Sequence, residues 1–306
     1  VNETLTIVVR FALYASLTLP FGTALFSLYA QRVSERGGPA DDPIRLASLA
    51  GGLAGLAFSG LGLWLLTASM SGAKLTAVDL SSFEIVLFHM SLGAAWLVRV
   101  GCLILMTFAP IALAPRPTAL RVAIVIAATG ALSTLAWTGH ASMDRGVLGL
   151  LHRVSDIAHI LAAATWIGAL VMFVATLRRV ERGGDAKSRA VFLRSLEEFA
   201  WTGSVAVDVI LVTGLVNTTL LVSWDLRAMF SSFYGQLLLA KVALFGAMLG
   251  LATLNRFHLS PRLRRAWRKP ATDTLKALSY SLSVETGCAF GVLGLVAWLG
   301  TLSPGT

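Results

Sequence analysis

The chain has 306 residues, 56% of them hydrophobic and only 13% charged, with a mean hydropathy of +0.76. Soluble domains average about 45–50% apolar and about 25% charged residues, so this chain has too few charges to cover a surface in water. That excludes a soluble domain, a disordered chain and a disulfide scaffold, and the net charge of +9 is no nucleic-acid signal because the charges are sorted by membrane side.

A helix needs roughly 20 mostly apolar residues to cross about 30 Å of hydrocarbon, and an open backbone cannot be satisfied in lipid any other way. Eight stretches meet that requirement: Leu5–Ala30, Ile44–Ser69, Leu92–Leu113, Ala119–Trp137, Val154–Leu177, Phe199–Val222, Tyr234–Phe257 and Leu278–Leu302. The expected fold class is therefore all-α, a bundle of eight transmembrane helices forming one membrane domain over residues 1–306, with no soluble domain. The first stretch lacks a basic n-region and reads as a retained helix. Two readings fit the residues before the third: the span begins at Phe83, or Ser82–Met90 forms a short helix at the interface.

The connections after the first, third, fifth and seventh spans carry 18 of the 25 Lys and Arg residues. The other connections carry four, Lys74, Arg145, Arg153 and Arg227. This asymmetry predicts cytoplasmic odd loops and both termini on the outer, periplasmic side. The odd loops also suit contact with anionic lipid headgroups. Cys102 and Cys288 sit inside apolar runs, where a free thiol behaves as a small hydrophobe.

In that orientation His89, His140, His152 and His159 lie at the outer face, as do Met70, Met90, Met143 and Met229. Imidazole and thioether together suit copper better than magnesium or calcium, which prefer oxygen. A single Met at a helix end is ordinarily packing, and a single interfacial His ordinarily a hydrated polar residue; it is the clustering that points to a ligand set. His152, Asp156 and His159 fall at i, i+4 and i+7, one stripe on one helix face. A carboxylate between two imidazoles either fixes their tautomers or binds the metal itself. One helix cannot close such a site, and His140, a short loop away, is the expected partner, with His89, Met90 and Met143 as further candidates.

Arg99, Asp208, Lys241 and Glu285 interrupt apolar spans. Either they pair as buried salt bridges that fix helix register, or they form a polar route inward. Arg10 is expected to snorkel to the outer interface, and Asn217 and Asn255 to hydrogen-bond between helices. The sequence has no activated Ser or Cys arrangement and no phosphate-binding loop, so hydrolytic or nucleophilic catalysis is not expected.

Trp137-Thr138-Gly139-His140-Ala141, followed by Asp156-x-x-His159-x-Leu161-Ala162-Ala163-Ala164-x-Trp166-x-Gly168, resembles the signature of the CopD copper-resistance family of bacterial inner-membrane proteins. Tyr234-Gly235 with Lys241, Asn255-Arg256-Phe257 with Pro261, and Ser283 with Glu285 extend the resemblance through the second half. The first half is similar only in helix count and in the Gly93 to Arg99 pattern. The resemblance implies an eight-helix inner-membrane protein that imports copper from periplasm to cytoplasm, working with a separate periplasmic CopC-like copper-binding protein. It carries over His140, Asp156 and His159 as copper residues, Trp166 and Gly168 as packing elements, and Lys241 and Glu285 as pathway residues. A haem-b redox protein with bis-His ligation by His140 and His159 is the alternative, because two imidazoles on facing helices also hold a porphyrin iron. A non-transporting membrane partner that senses metal is a third reading.

Overall fold

The computed structural model describes residues 2–37, 42–137, 146–183, 186–221, 230–265 and 272–302. All regular structure within them is helical. In chain order the helices are α1 (Glu3–Ala30), α2 (Asp42–Ser71), α3 (Leu80–His89), α4 (Ser91–Ala112), α5 (Pro117–Ser133), α6 (Gly146–Glu181), α7 (Ala186–Leu221), α8 (Phe233–Leu254), α9 (Ser260–Arg265) and α10 (Thr272–Leu299). Eight of them, all but α3 and α9, are long and apolar enough to cross a membrane.

Helix α1 is the hub. It packs against α2, α5, α6 and α10, while α6 packs against α1, α7 and α10. The α1–α6 crossing is made by Gly22 and Gly168, whose backbones are in contact. A Cβ on Gly168 would lie 2.2 Å from the Gly22 backbone, and one on Gly22 would lie 2.2 Å from the Ala164 carbonyl oxygen. Small residues at such crossings let backbones approach and gain dispersion contacts, the main attraction between helices in lipid. The largest buried cluster draws side chains from every span, with Phe26, Trp166, Phe173 and Phe192 at its centre. Phe173 makes edge-to-face contacts with Phe26 (5.1 Å) and Phe199 (5.3 Å), so aromatic packing extends the α1–α6 contact toward α7.

Of the two readings before the third span the short helix holds, and two other element boundaries differ from the sequence expectation. Leu80–His89 is a separate short helix, capped by the Asp79 side chain accepting from the Ser82 N–H at 2.8 Å. Met90 then turns in extended backbone into α4, and Gly93 lies against the Leu87 carbonyl, where a Cβ would be 1.9 Å from the oxygen. Helices α6 and α7 each run 36 residues, well beyond the predicted spans. At 1.5 Å per residue each is about 54 Å long. An apolar window finds where a helix meets lipid, whereas the flanking Arg, Glu, Lys and Ala residues continue the helix into water because they are good helix formers. Helix α8 ends in a π turn at Asn255–Leu259 before α9. Pro261, which has no N–H to return to the preceding turn, follows directly.

At the end of the bundle opposite the termini, Arg194 on α7 pairs with Glu35 after α1, and Arg36 donates to Thr118 at 3.1 Å and to the Leu28 carbonyl at 2.8 Å. Arg121 is fully buried rather than solvated: its Nε donates to Ser27 Oγ at 2.5 Å and its Nη1 to the Pro117 carbonyl at 2.5 Å.

Candidate functional site

Two cavities lie along α6, one toward each end of the bundle. The cavity nearer the termini has a volume of about 240 Å³. The predicted stripe faces it, so His152, Asp156 and His159 share one lining with Lys241 of α8, Arg10 and Tyr14 of α1, and Asn217 of α7. His152 is buried, while Asp156, His159 and Lys241 are half-buried. Asp156 is within electrostatic reach of both His152 and Lys241. Helical periodicity is the physical cause: three polar residues at this spacing cannot face lipid together without cost, so the helix rotates them inward.

The hydrogen bonds of His159 fix its tautomer. Its Nδ1 lies 2.9 Å from Thr213 Oγ1 on α7, and the Thr213 hydroxyl donates to the Val209 carbonyl one turn back at 2.5 Å. With its proton committed there, the Thr213 oxygen can only accept from the ring. His159 Nδ1 therefore carries the hydrogen and Nε2 keeps its lone pair, the arrangement a metal-ligating histidine needs.

Arg10 is held at the end of the bundle nearer the termini by two contacts. Its Nη2 donates to Tyr14 Oη at 2.8 Å, and its guanidinium packs so closely on Gly300 that a Cβ there would lie 2.0 Å from Nη2. The sequence signal for this was a cation followed four residues later by Tyr14 on the same helix face, with apolar residues on both sides.

The second cavity, about 820 Å³, opens between α7 and α8, which do not pack along their lengths. Glu285 of α10 lies at its wall, only 2% exposed. One carboxylate oxygen accepts from Trp166 Nε1 at 2.9 Å and the other from Asn255 Nδ2 at 3.0 Å. Trp166 also stacks edge-on against Phe245 of α8, with ring centroids 5.9 Å apart. Three helices thus meet at one carboxylate, and Trp166 has a bonding role beyond packing. Asp208 lines the same cavity, with Arg256 and Arg264 toward its basic end.

The other predicted residues are placed as follows. Arg99 lines neither cavity; its Nε donates to Thr134 Oγ1 at 2.7 Å and its Nη2 to the Thr134 carbonyl at 3.3 Å. No salt bridge joins Arg99, Asp208, Lys241 and Glu285. Among the described residues the ion pairs, Arg194–Glu35 and Arg264–Glu197, both lie at the basic end. Hydroxyl and carbonyl oxygens meet Arg99, and an indole and an amide meet Glu285. His89 is exposed at the end of α3, which packs on α2 and α4, and neither it nor Met90 lines the stripe's cavity. His140 and Met143 lie outside the described residues. Among the described residues no three His, Cys, Asp or Glu side chains converge tightly enough to hold a metal by themselves.

Residues 1–150 match the family described as copper resistance protein D-like, N-terminal domain, and residues 193–299 match copper resistance protein D. The chain is 41% identical over 308 residues to Copper resistance protein D of Pseudomonas syringae pv. tomato, covering 99% of this chain and 98% of the relative. It is 26% identical over 304 residues to Inner membrane protein YebZ of Escherichia coli (strain K12), covering 97% and 98% of the two chains. Similarity to Copper transport protein CutJ of Bacillus subtilis (strain 168) is 28% over 281 residues, 88% of this chain and 48% of that protein. No solved structure matches. A full-length match at this identity, on an eight-helix apolar bundle, places the chain in the CopD copper resistance protein D family of multi-pass membrane proteins.

Proposed function

We propose that this protein carries copper across the bacterial inner membrane, from periplasm to cytoplasm, with both termini and the smaller cavity on the periplasmic side. The observation that carries the reading is His159: its Nδ1 is tied to Thr213, which leaves Nε2 as an electron-pair donor on a residue lining the cavity shared with His152 and Asp156. His140 completes the ligand set, with Met143, His89 and Met90 as the approach to it. Imidazole and thioether ligation offsets the loss of the ion's hydration, and weak successive sites allow release. Beyond the outer cavity, the Trp166–Glu285–Asn255 node leads to the larger cavity between α7 and α8, with Lys241 before it and Asp208 after it. Arg99 supports the wall of the route through Thr134. A CopC-like periplasmic protein is the expected donor of the metal.

The haem-b reading is weaker. Organic ligand pockets span about 300–1,000 Å³, and the cavity that His159 lines has about 240 Å³, while no His or Met among the described residues lines the larger one.

Replacing His159 with Ala is expected to abolish copper binding by the purified protein and copper accumulation in cells, while Thr213→Val weakens binding by about 10–100-fold, as loss of a ligand's hydrogen-bond partner does. Unchanged accumulation in the His159 variant would refute the site. A Soret band with a reducible α-band in the protein as isolated would restore the haem reading.

A further inference from the structure

The outer cavity carries more positive charge than a bare metal cation can join. Arg10 and Lys241 both line it, and Asp156 is the one carboxylate among the described lining residues. Arg99, held on Thr134, adds a guanidinium whose field reaches Arg10. Histidines that ligate a metal are neutral and supply no compensating charge. Adding a copper ion to this lining therefore increases an existing cationic excess, in surroundings where water screens poorly and an uncompensated charge is costly.

Two polar atoms in the cavity, a donor and an acceptor, have no partner among the described residues. Arg10 Nε is buried without a hydrogen-bond acceptor among the described residues, although Nη2 of the same guanidinium is held by Tyr14. Lys241 lines the same cavity and is within electrostatic reach of Asp156. Asn217 Oδ1 is buried without a donor. The two cationic donors call for an anion, and the amide oxygen, together with His159 Nε2, calls for a cation. Buried polar atoms in native proteins are overwhelmingly satisfied, so unmet donors and acceptors around one cavity point to a ligand that supplies both.

We propose that the outer cavity takes copper together with a small monovalent anion, a halide or a carboxylate, which bridges the metal and the Arg10 and Lys241 side chains. The inference rests on the copper reading of this cavity and adds the form in which the metal is held: a copper–anion pair whose added charge is lower than that of the ion alone. Asp156 stays outside the metal's coordination in this arrangement and orients His152 and Lys241. The cations thus select against a free divalent ion such as magnesium, which has no comparable tendency to enter as an anion-bound complex with imidazole.

The test uses the full-length protein in detergent, dialysed against copper in bromide buffer and again in nitrate buffer of equal ionic strength. X-ray absorption at the copper edge is then measured on the bound metal. One bromide in the copper shell is expected for the wild-type protein, beside imidazole nitrogen. The bromide is expected to be absent in Lys241→Gln and Arg10→Gln, with copper affinity reduced by about 10–100-fold, the effect of removing a supporting partner. Copper bound to the wild-type protein through imidazole with no bromide in either buffer would overturn the anion and leave the copper site standing. No copper bound in either buffer would overturn the copper site itself. The wild-type spectrum decides between these outcomes even if the variants fail to fold.

Discussion

The two sides of α6 are built in opposite ways. Against α1, Gly22 and Gly168 bring two backbones into contact, and no side chain or ligand fits between them. On the other side α7 and α8 stay apart, and the space between them is a cavity of about 820 Å³ walled by α6 and α10. The first arrangement makes a rigid frame; the second leaves room for groups to move. The proposed transport would use both, the frame to hold α6 in position and the open side to give the ion somewhere to go.

The largest effect should come from breaking the frame. Gly168→Val puts a branched side chain into the Gly22 backbone, and overpacking of this kind costs about 1–3 kcal/mol or more. Sharply reduced yield and a lower thermal midpoint by fluorescence-detected size exclusion are expected. Gly250→Ala on α8, where a Cβ meets nothing within 4 Å, should leave both unchanged. Equal effects from the two would contradict the contrast between the two sides.

A smaller effect is expected at the wall of the open side. Glu285→Ala leaves the Trp166 and Asn255 N–H groups without acceptors, a loss of about 1–3 kcal/mol for each buried group left unpaired. Glu285→Gln should be milder. Its amide nitrogen meets one of the two donors, but Asn255 can rotate and offer its Oδ1, which has no partner among the described residues. Thermal unfolding of both variants in detergent checks the order; a Gln variant as unstable as the Ala variant would show that Asn255 is locked.

The smallest effect lies at the basic end, between Glu35 and Arg194. Burial alone would raise the Glu35 pKa, but the Arg32 backbone N–H and the Arg194 guanidinium outweigh it and hold the carboxyl below the ordinary glutamate range. A depressed folded-state pKa gives stability that is present above the unfolded value and lost as pH falls through the folded one. Arg194→Ala should weaken this acid-side dependence, leaving the part due to the Arg32 N–H, and cost less than about 1 kcal/mol at neutral pH, since the pair is partly exposed. An unchanged acid transition in the variant would assign the dependence to other carboxylates.

Much of this protein could be read from its residues in order. The His152, Asp156 and His159 stripe was legible because helical periodicity puts i, i+4 and i+7 on one face, and the structure places that face on a cavity. The separate helix at Leu80–His89 was one of two readings, decided by the Asp79 cap and the Gly93 turn. For Arg10, Tyr14 at i+4 was a legible partner and Gly300 was not. The distance of Arg10 from the helix end suggested an interfacial side chain, and its contact with Gly300, nearly 300 residues away, is set by tertiary packing. Salt bridges among the intramembrane charges were equally reasonable from sequence, yet Glu285 is satisfied by an indole and an amide that pattern alone would not pair with it.

The number of spans and the separation of charge between the two ends follow from the sequence by itself, because hydrocarbon thickness and the cost of burying charge act on each segment independently. Which helices touch, which ring nitrogen of His159 keeps its lone pair, and which polar atoms face a shared cavity without partners were decided only in the tertiary structure. Those properties depend on pairs of residues far apart in the chain, and no local periodicity encodes how two helices approach until glycine, indole and hydroxyl side chains meet in space.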